Sequence, residues 1–500
     1  MPARSSIYII LGVCLVAATR ILFRSHLLYD IDSVNFALAI RHFNPVTYQP
    51  HPPGYFLYVC LGRLVNLLVP DDNNALVAIS VVASCGAAWM IHMLAQEWFG
   101  DQAALMALGI FLISPLCWFH GIVALTYIVE AFFSALTGYL CWRAYSGTSV
   151  YLWPAAVVLG IAAGFRPSSL LFLGPIWLIA WWRASGRMRV LAASLLSLTL
   201  LAWWIPMIEA SGGARVYFDA LLGLWRLVPA KQSFETSYLA MVLARAITVA
   251  GIAALCFGSA ALLIFQRSPV ADPPAHDRRV FTVLWLGPGL LFFIFVFLNF
   301  VNSGYLLVLS PPVFAWLGLR ASVWWGQDRG RRRLKIAFMG AAAAVNVCVF
   351  LFAPFYCSFR EVRRLEAALT ENVAALRKSF NPQEALIVGF DSHFLGYRHA
   401  AYYLPEFMTV QYPAVSLPGG KKIFAVEHRE TLLLSAVPTR HFRQFVLFPL
   451  PAEAGYRDYL AKQTARFPAG TLRSAGQLTT FTVGGIADLP YLFPGSGSDN

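Results

Sequence analysis

The chain has 500 residues, 58% of them apolar and 13% charged, with 38 basic against 25 acidic side chains and a formal charge of +13. That balance lies outside the range of soluble globular domains. Most of the basic residues sit in short loops between apolar blocks, which argues against a nucleic-acid partner and for orientation in a bilayer.

The apolar blocks are about twenty residues long, enough to cross a hydrocarbon core of about 30 Å. In chain order they predict spans near 7–23, 73–97, 102–119, 124–142, 150–164, 168–183, 189–209, 240–265, 280–299, 305–321 and 335–353, about eleven in all. The first run is long for a secretory signal and reads as an uncleaved helix. The short blocks 150–164 and 168–183 are separated only by Phe165-Arg166-Pro167 and read as a broken helix or half-depth hairpin. Irregular backbone of that kind is tolerated only where it is buried in protein or lines a cavity. Three basic clusters (Arg183, Arg187, Arg189; Arg267, Arg278, Arg279; Arg329 to Lys335) place their loops on the side of the N-terminus, the cytoplasm. Loops 24–72 and 210–240 and everything after about 354 then face outward. The outer loop 210–240 is either an interfacial helix or a plain connection.

The tail differs in kind. Residues 359–380 read as a charged amphipathic helix, strand-like runs follow at 385–390, 422–426, 443–449 and 481–483, and the final Gly-Ser-Gly-Ser-Asp-Asn reads as disordered. The expected fold is an α-helical polytopic membrane protein with interfacial helices in its first outer loop and a small C-terminal α/β outer domain. The expected division is a transmembrane domain at 1–353 and an extracytoplasmic domain at 354–500. The eight cysteines stand singly, nearly all in apolar segments, with neither metal spacing nor a disulfide framework.

Two motifs in the first outer loop carry chemistry. In Tyr29-Asp30-Ile31-Asp32-Ser33 two carboxylates stand two residues apart, and in an extended segment both point to one side. A carboxylate within reach of an acceptor hydroxyl serves as general base. Asp30 is slightly favoured, and Asp32 is also placed to cap a helix running through Val34 to Arg41. Gln49-Pro50-His51-Pro52-Pro53-Gly54-Tyr55 then opens an apolar helix too short and too polar on one side to span. Proline suits a first helical turn and a helix N-terminus attracts anions, so a phosphate there would meet backbone N–H groups and, when protonated, His51.

The run Asp30-x-Asp32-Ser33, His51-Pro52-Pro53-Gly54-Tyr55 and Leu61-Gly62-Arg63 resembles polyprenyl-phosphate-sugar-dependent GT-C glycosyltransferases. Within them it is most similar to the protein O-mannosyltransferase-like group and to bacterial sugar transferases acting on surface glycans. The resemblance covers roughly residues 7–320 by order of elements, though its motifs occupy only about forty positions. Related aminoarabinose transferases carry a lysine before the Pro-Pro pair that contacts the lipid phosphate, where this sequence has His51. The resemblance implies a hexosyl or pentosyl transferase of a bacterial inner membrane. Its donor is a polyprenyl-phosphate-linked sugar and its acceptor a lipid, glycan or protein hydroxyl, among membrane lipids and with no nucleic acid.

Charges inside spans are functional candidates because they are expensive there. Arg166 stands at the break between the short spans, where the family carries a basic residue, and a guanidinium suits phosphate bidentately. Glu130, in Thr126-Tyr127-Ile128-Val129-Glu130, matches an acidic residue that lines the family's cavity, and it would position the acceptor or help to hold a cation. Tyr305, in a Tyr-Leu-Leu run followed by Pro311-Pro312, is placed either to donate to a phosphate oxygen or to anchor at the interface. The carboxylates allow a divalent cation without demanding one, and no other cofactor is indicated. A transporter or lipid flippase is the alternative; it predicts internal repeats and acidic residues at mid-depth, neither of which the sequence displays.

Overall fold

The computed structural model describes residues 2–232, 237–265, 276–327, 329–355, 357–412, 415–417, 420–422, 424–433, 442–448, 470–475 and 478–487. Arg267 and the Gly-Ser-Gly-Ser-Asp-Asn terminus lie outside the described residues. The chain forms two compact units, Met1–Ser25 with Tyr55–Pro206 and Glu235–Val362, and His26–Gly54 with Met207–Phe234 and Arg363–Asn500.

The first unit is a helical membrane bundle. Its helices are α1 (Pro2–Phe23), then, after α2 (Ile31–Arg41) of the other unit, α3 (Phe56–Asn66), α4 (Asp72–Phe99), α5 (Asp101–Leu112), α6 (Pro115–Ile122), α7 (Tyr127–Tyr145), α8 (Leu152–Phe165) and α9 (Ser168–Arg183). They continue with α10 (Gly186–Ala210) and, beyond α11 (Ala214–Gln232) of the other unit, α12 (Tyr238–Phe257), α13 (His276–Leu291), α14 (Ser310–Gly326) and α15 (Arg332–Phe352). Among the described residues six helices are long and apolar enough to cross a membrane, or seven if α5 and α6, bent by 60° at their junction, count as one span. The sequence blocks number about eleven because several are short or broken helices. With 14 and 16 residues, α8 and α9 reach only about 21 and 24 Å at 1.5 Å per residue.

Helix α4 packs against α1, α5, α7 and α14, with Ala75, Leu76, Ala87, Ala88 and Ile91 fully buried. Small residues set the close approaches. A Cβ on Gly318 of α14 would stand 2.3 Å from the backbone oxygen of Ala103 in α5, and one on Gly138 of α7 would enter the Trp285 indole. The α5–α6 bend has its own partner. Arg20 donates to the Leu112 carbonyl at 3.1 Å, and Ser114 caps α6 ahead of Pro115.

The second unit contains a seven-stranded mixed sheet. In chain order its strands are β1 (Ala385–Phe390), β2 (Met408–Tyr412), β5 (Phe424–Glu427), β6 (Glu430–Leu433), β7 (Phe442–Leu447), β8 (Gly470–Ala475) and β9 (Leu478–Ala487), while β3 (Val415–Leu417) and β4 (Gly420–Lys422) pair separately. The order across the sheet is β6-β5-β2-β1-β7-β9-β8, with β1 parallel to both neighbours and the other pairs antiparallel. Helix α16 (Phe359–Ser379) precedes β1, and α17 (Tyr397–Tyr403) joins β1 to β2. The charged helix and the four strand-like runs of the sequence are thus present.

The first-loop segment is built into this unit. Tyr397, Ala401, Phe424 and Val426 form a core against which Ile31, Tyr48 and Leu433 pack. The Glu366 carboxylate accepts the N–H groups of His26 and Leu27, Tyr403 Oη accepts that of Leu28, and Arg398 Nη2 donates to the Thr47 carbonyl. One expectation is corrected here: the Pro52-Pro53 pair does not open the following helix. Gly54 (φ 103°) and Tyr55 (φ 46°) take left-handed conformations, which turn the chain, so α3 begins only at Phe56. The 210–240 loop contains the helix α11, whose Tyr217 hydroxyl donates to the Pro53 carbonyl at 3.1 Å.

Gly318→Val, forced against backbone, is expected to destabilise by about 1–3 kcal/mol. Gly109→Ala, with nothing within 4 Å of its Cβ position, should leave the midpoint unchanged or higher. Thermal unfolding of both purified variants tests the pair.

Candidate functional site

The sequence-predicted residues gather into two clusters, one in each unit. In the helical bundle the break between α8 and α9 places Arg166. Proline at 167 disfavours helical backbone at the preceding residue, and Arg166 is extended (φ −154°, ψ 105°). Its guanidinium is buried, 7% exposed. Nε stands 3.1 Å from Glu130 Oε2 and Nη1 donates to Thr126 Oγ1 at 3.2 Å. The faces of Tyr127 and Tyr305 lie 4.2 and 5.1 Å from its central carbon, within cation–π range.

Glu130 is 3% exposed and doubly engaged, since Oε1 also accepts from the hydroxyls of Ser168 and Ser169, each at 3.3 Å. Both carboxylate oxygens therefore serve the break itself. Arg166 meets Glu130 and Thr126 through Nε and Nη1.

Tyr305 lies in a 3₁₀ turn (Ser303–Leu309) and meets Tyr127 edge to face at 5.4 Å. Gly304 makes this possible, because a Cβ there would stand 2.1 Å from Tyr127 Cγ. Sequence reasoning missed Thr126, Tyr127, Ser168 and Ser169. Thr126 was within reach of it: Thr126 and Glu130 are four apart at the start of α7 and share a face.

In the second unit Asp30, not Asp32, caps α2. Asp30 is in the extended region (φ −117°, ψ 158°) and its Oδ1 accepts the N–H of Asp32 at 2.8 Å. Asp32 lies in the first turn, where a negative charge also suits the helix dipole. The two carboxylates consequently differ. The side chain of Asp30 is 6% exposed and its Oδ2 stands 3.6 Å from His393 Nδ1, an ion-pair distance rather than a hydrogen bond. That of Asp32 is 22% exposed, with Oδ1 3.2 Å from His51 Nδ1.

His393 was absent from the sequence-based candidates. The signal that could have found it is positional, because it follows the carboxyl end of the parallel strand β1, where open α/β sheets place functional residues. Burial alone would lower its proton affinity, but the adjacent Asp30 carboxylate, with Asp32 and Asp391, raises its pKa from 6.5 to about 9. Burial pushes the nearby His399 the other way, down to about 4. No three His, Cys, Asp or Glu side chains among the described residues converge into a metal-holding group.

No protein-family model matches the chain, and no curated protein matches it by sequence. The likeness is structural. ArnT from Cupriavidus metallidurans bound to undecaprenyl phosphate superposes with a TM-score of 0.59 at 12% identity, over 95% of this chain and 97% of that one. The chain has the GT-C fold. The apo state of the same ArnT gives 0.55, with 12% identity over 96% and 98% of the two chains. The Archaeoglobus fulgidus oligosaccharyltransferase, at 0.47 and 13% identity over 81% of this chain and 64% of that one, is too distant to carry an argument. The fold agrees with the expectation drawn from the first-loop motifs, and the integral-membrane character with that drawn from the apolar blocks.

Removing one partner of a buried ion pair strands the other. Glu130→Gln is accordingly expected to cost about 3–5 kcal/mol. The double variant Glu130→Gln/Arg166→Met should recover much of that loss in thermal unfolding. A double variant no more stable than the single one would contradict the coupling.

Proposed function

We propose that the protein is a membrane glycosyltransferase that moves a sugar from a polyprenyl-phosphate carrier to a hydroxyl of a cell-envelope lipid, glycan or protein on the outer face of a bacterial inner membrane. The observation that carries this reading is Arg166: a guanidinium buried in a GT-C bundle, its fork oriented by Glu130 and Thr126 and covered by the faces of Tyr127 and Tyr305. A solved protein of the same fold is bound to undecaprenyl phosphate.

The roles follow from the chemistry of the individual side chains. Asp32, more exposed than Asp30 and set beside His51, takes the proton from the acceptor hydroxyl as general base. The acceptor oxygen attacks the anomeric carbon, the bond from that carbon to the phosphate oxygen breaks, and the carrier leaves as polyprenyl phosphate. Arg166 holds the phosphate and stabilises the charge that grows on it, with the Tyr305 hydroxyl as a second donor. Glu130, committed to Arg166, Ser168 and Ser169, acts by orienting the guanidinium rather than by touching the acceptor. Asp30 works through the helix it caps.

Sugar transfer from synthetic polyprenyl-phosphate donors by purified protein tests these roles. Asp32→Asn is expected to lower kcat by about 10²–10⁴, and Asp30→Asn by less. Arg166→Met should cost about 10²–10³. Full activity in both Asp32→Asn and Arg166→Met would remove the mechanism.

A further inference from the structure

A helix begins with backbone N–H groups that no earlier turn can accept. At the head of α2 two of them are taken up from outside. Asp30 Oδ1 accepts that of Asp32 and the His393 carbonyl accepts that of Ile31, each at 2.8 Å. His393 also sets its Nδ1 3.6 Å from Asp30 Oδ2. A residue from the loop after β1 therefore holds this turn twice, by its main chain and by its side chain. The neighbouring rings of Tyr29 and Phe394 pack edge to face at 5.1 Å and close the same contact from one side. Nothing about the fold of the sheet requires an imidazole at this position. A helix cap requires only Asp30 itself.

We propose that His393 is a positioning residue for the transfer: it fixes the Asp30 carboxylate, and through it the first turn of α2, so that Asp32 is presented to the acceptor hydroxyl in one orientation. This deepens the sugar-transfer reading and rests on it. The charged groups that act on the imidazole are Asp30 and Asp32 at the head of α2 and Asp391 just after β1. His51 pairs with Asp32, and His399 of α17 lies near Asp30. The adjacent Asp30 carboxylate, with the fields of Asp32 and Asp391, keeps the imidazole protonated through neutral pH, with its pKa near 9. His399, held down at about 4, is neutral there and adds no competing charge. The sign follows directly: the clamp is complete below the ordinary histidine value of 6.5 and is lost as pH rises through about 9.

The test has two arms on the full-length protein in lipid nanodiscs. In the first, isotope-labelled histidines are titrated by NMR in wild type, His393→Gln and Asp30→Asn. The expected result is one resonance titrating near pH 9, missing in His393→Gln and lowered by about one unit or more in Asp30→Asn. A His393 that titrates near 6.5, or that ignores Asp30→Asn, overturns the clamp. This arm needs no enzymatic activity, so it still decides the contact if the wild type transfers no sugar from any donor and the sugar-transfer reading itself fails.

In the second arm kcat is followed against pH at saturating donor. Wild-type activity is expected to fall as pH passes about 9. His393→Gln should lose about ten- to a hundredfold in kcat at neutral pH, keep its KM for the donor, and lack that alkaline fall. His393→Lys, which keeps a cation beside Asp30, should recover part of the loss and move the fall to higher pH. A folded His393→Gln with wild-type kcat and pH profile overturns the positioning role even where the titration behaves as expected.

Discussion

A guanidinium inside an apolar bundle must find partners, because a buried charge without them is among the most costly features a fold can carry. Around Arg166 that requirement organises much of the helical unit. The break at Arg166-Pro167 releases the residue from helical geometry, and Glu130 and Thr126 come from one face of α7 to meet it. Ser168 and Ser169, just past the break, occupy the second oxygen of Glu130. Gly304 lets the turn carrying Tyr305 approach Tyr127, so two aromatic faces cover the cation. Such a constellation is more elaborate than a structural ion pair needs, since hydrophobic residues of similar volume often serve stability as well. Such an arrangement suits a site where an anion must be held without water.

The second unit solves a different problem, which is how to keep two neighbouring carboxylates in different states of engagement. Asp30 is spent on architecture, with one oxygen on a backbone N–H and the other facing His393. Asp32, two residues on, keeps a side chain that is 22% exposed and stands beside His51. Identical side chains acquire separate roles because only one of them sits at the cap position. The cap also fixes the direction in which the other points, since α2 is buried along most of its length from Ser33 to Ile40.

Much of this was legible in the residues. The membrane class, the break at Arg166, the charged helix after the last span and the strands of the tail all follow from composition, proline placement and periodicity, which are local properties. The motif around Asp30, Asp32 and His51 led to the fold seen in ArnT. What failed was local geometry of a finer kind. The sequence reading places Asp32 at the cap of α2, and the observed turn gives that position to Asp30. Pro52 and Pro53 looked like a helix start because sequence does not reveal that Gly54 and Tyr55 both turn left-handed before Phe56. The two short helices α8 and α9 agree with the broken helix or half-depth hairpin read from their short apolar blocks. His393 was beyond reach for a further reason: a loop residue's partner in a distant segment leaves no periodic trace, and only the end of a parallel strand hinted at it.

The central claim is that the buried arginine of the GT-C bundle holds a lipid-linked phosphate. It is tested most directly by native mass spectrometry of the purified protein with undecaprenyl phosphate and with the uncharged alcohol of the same chain length. The account predicts that the phosphate is retained and the alcohol is not, and that Arg166→Gln abolishes the difference while the protein stays folded. Equal retention of the two lipids by the wild type, or undiminished preference for the phosphate in Arg166→Gln, would contradict it.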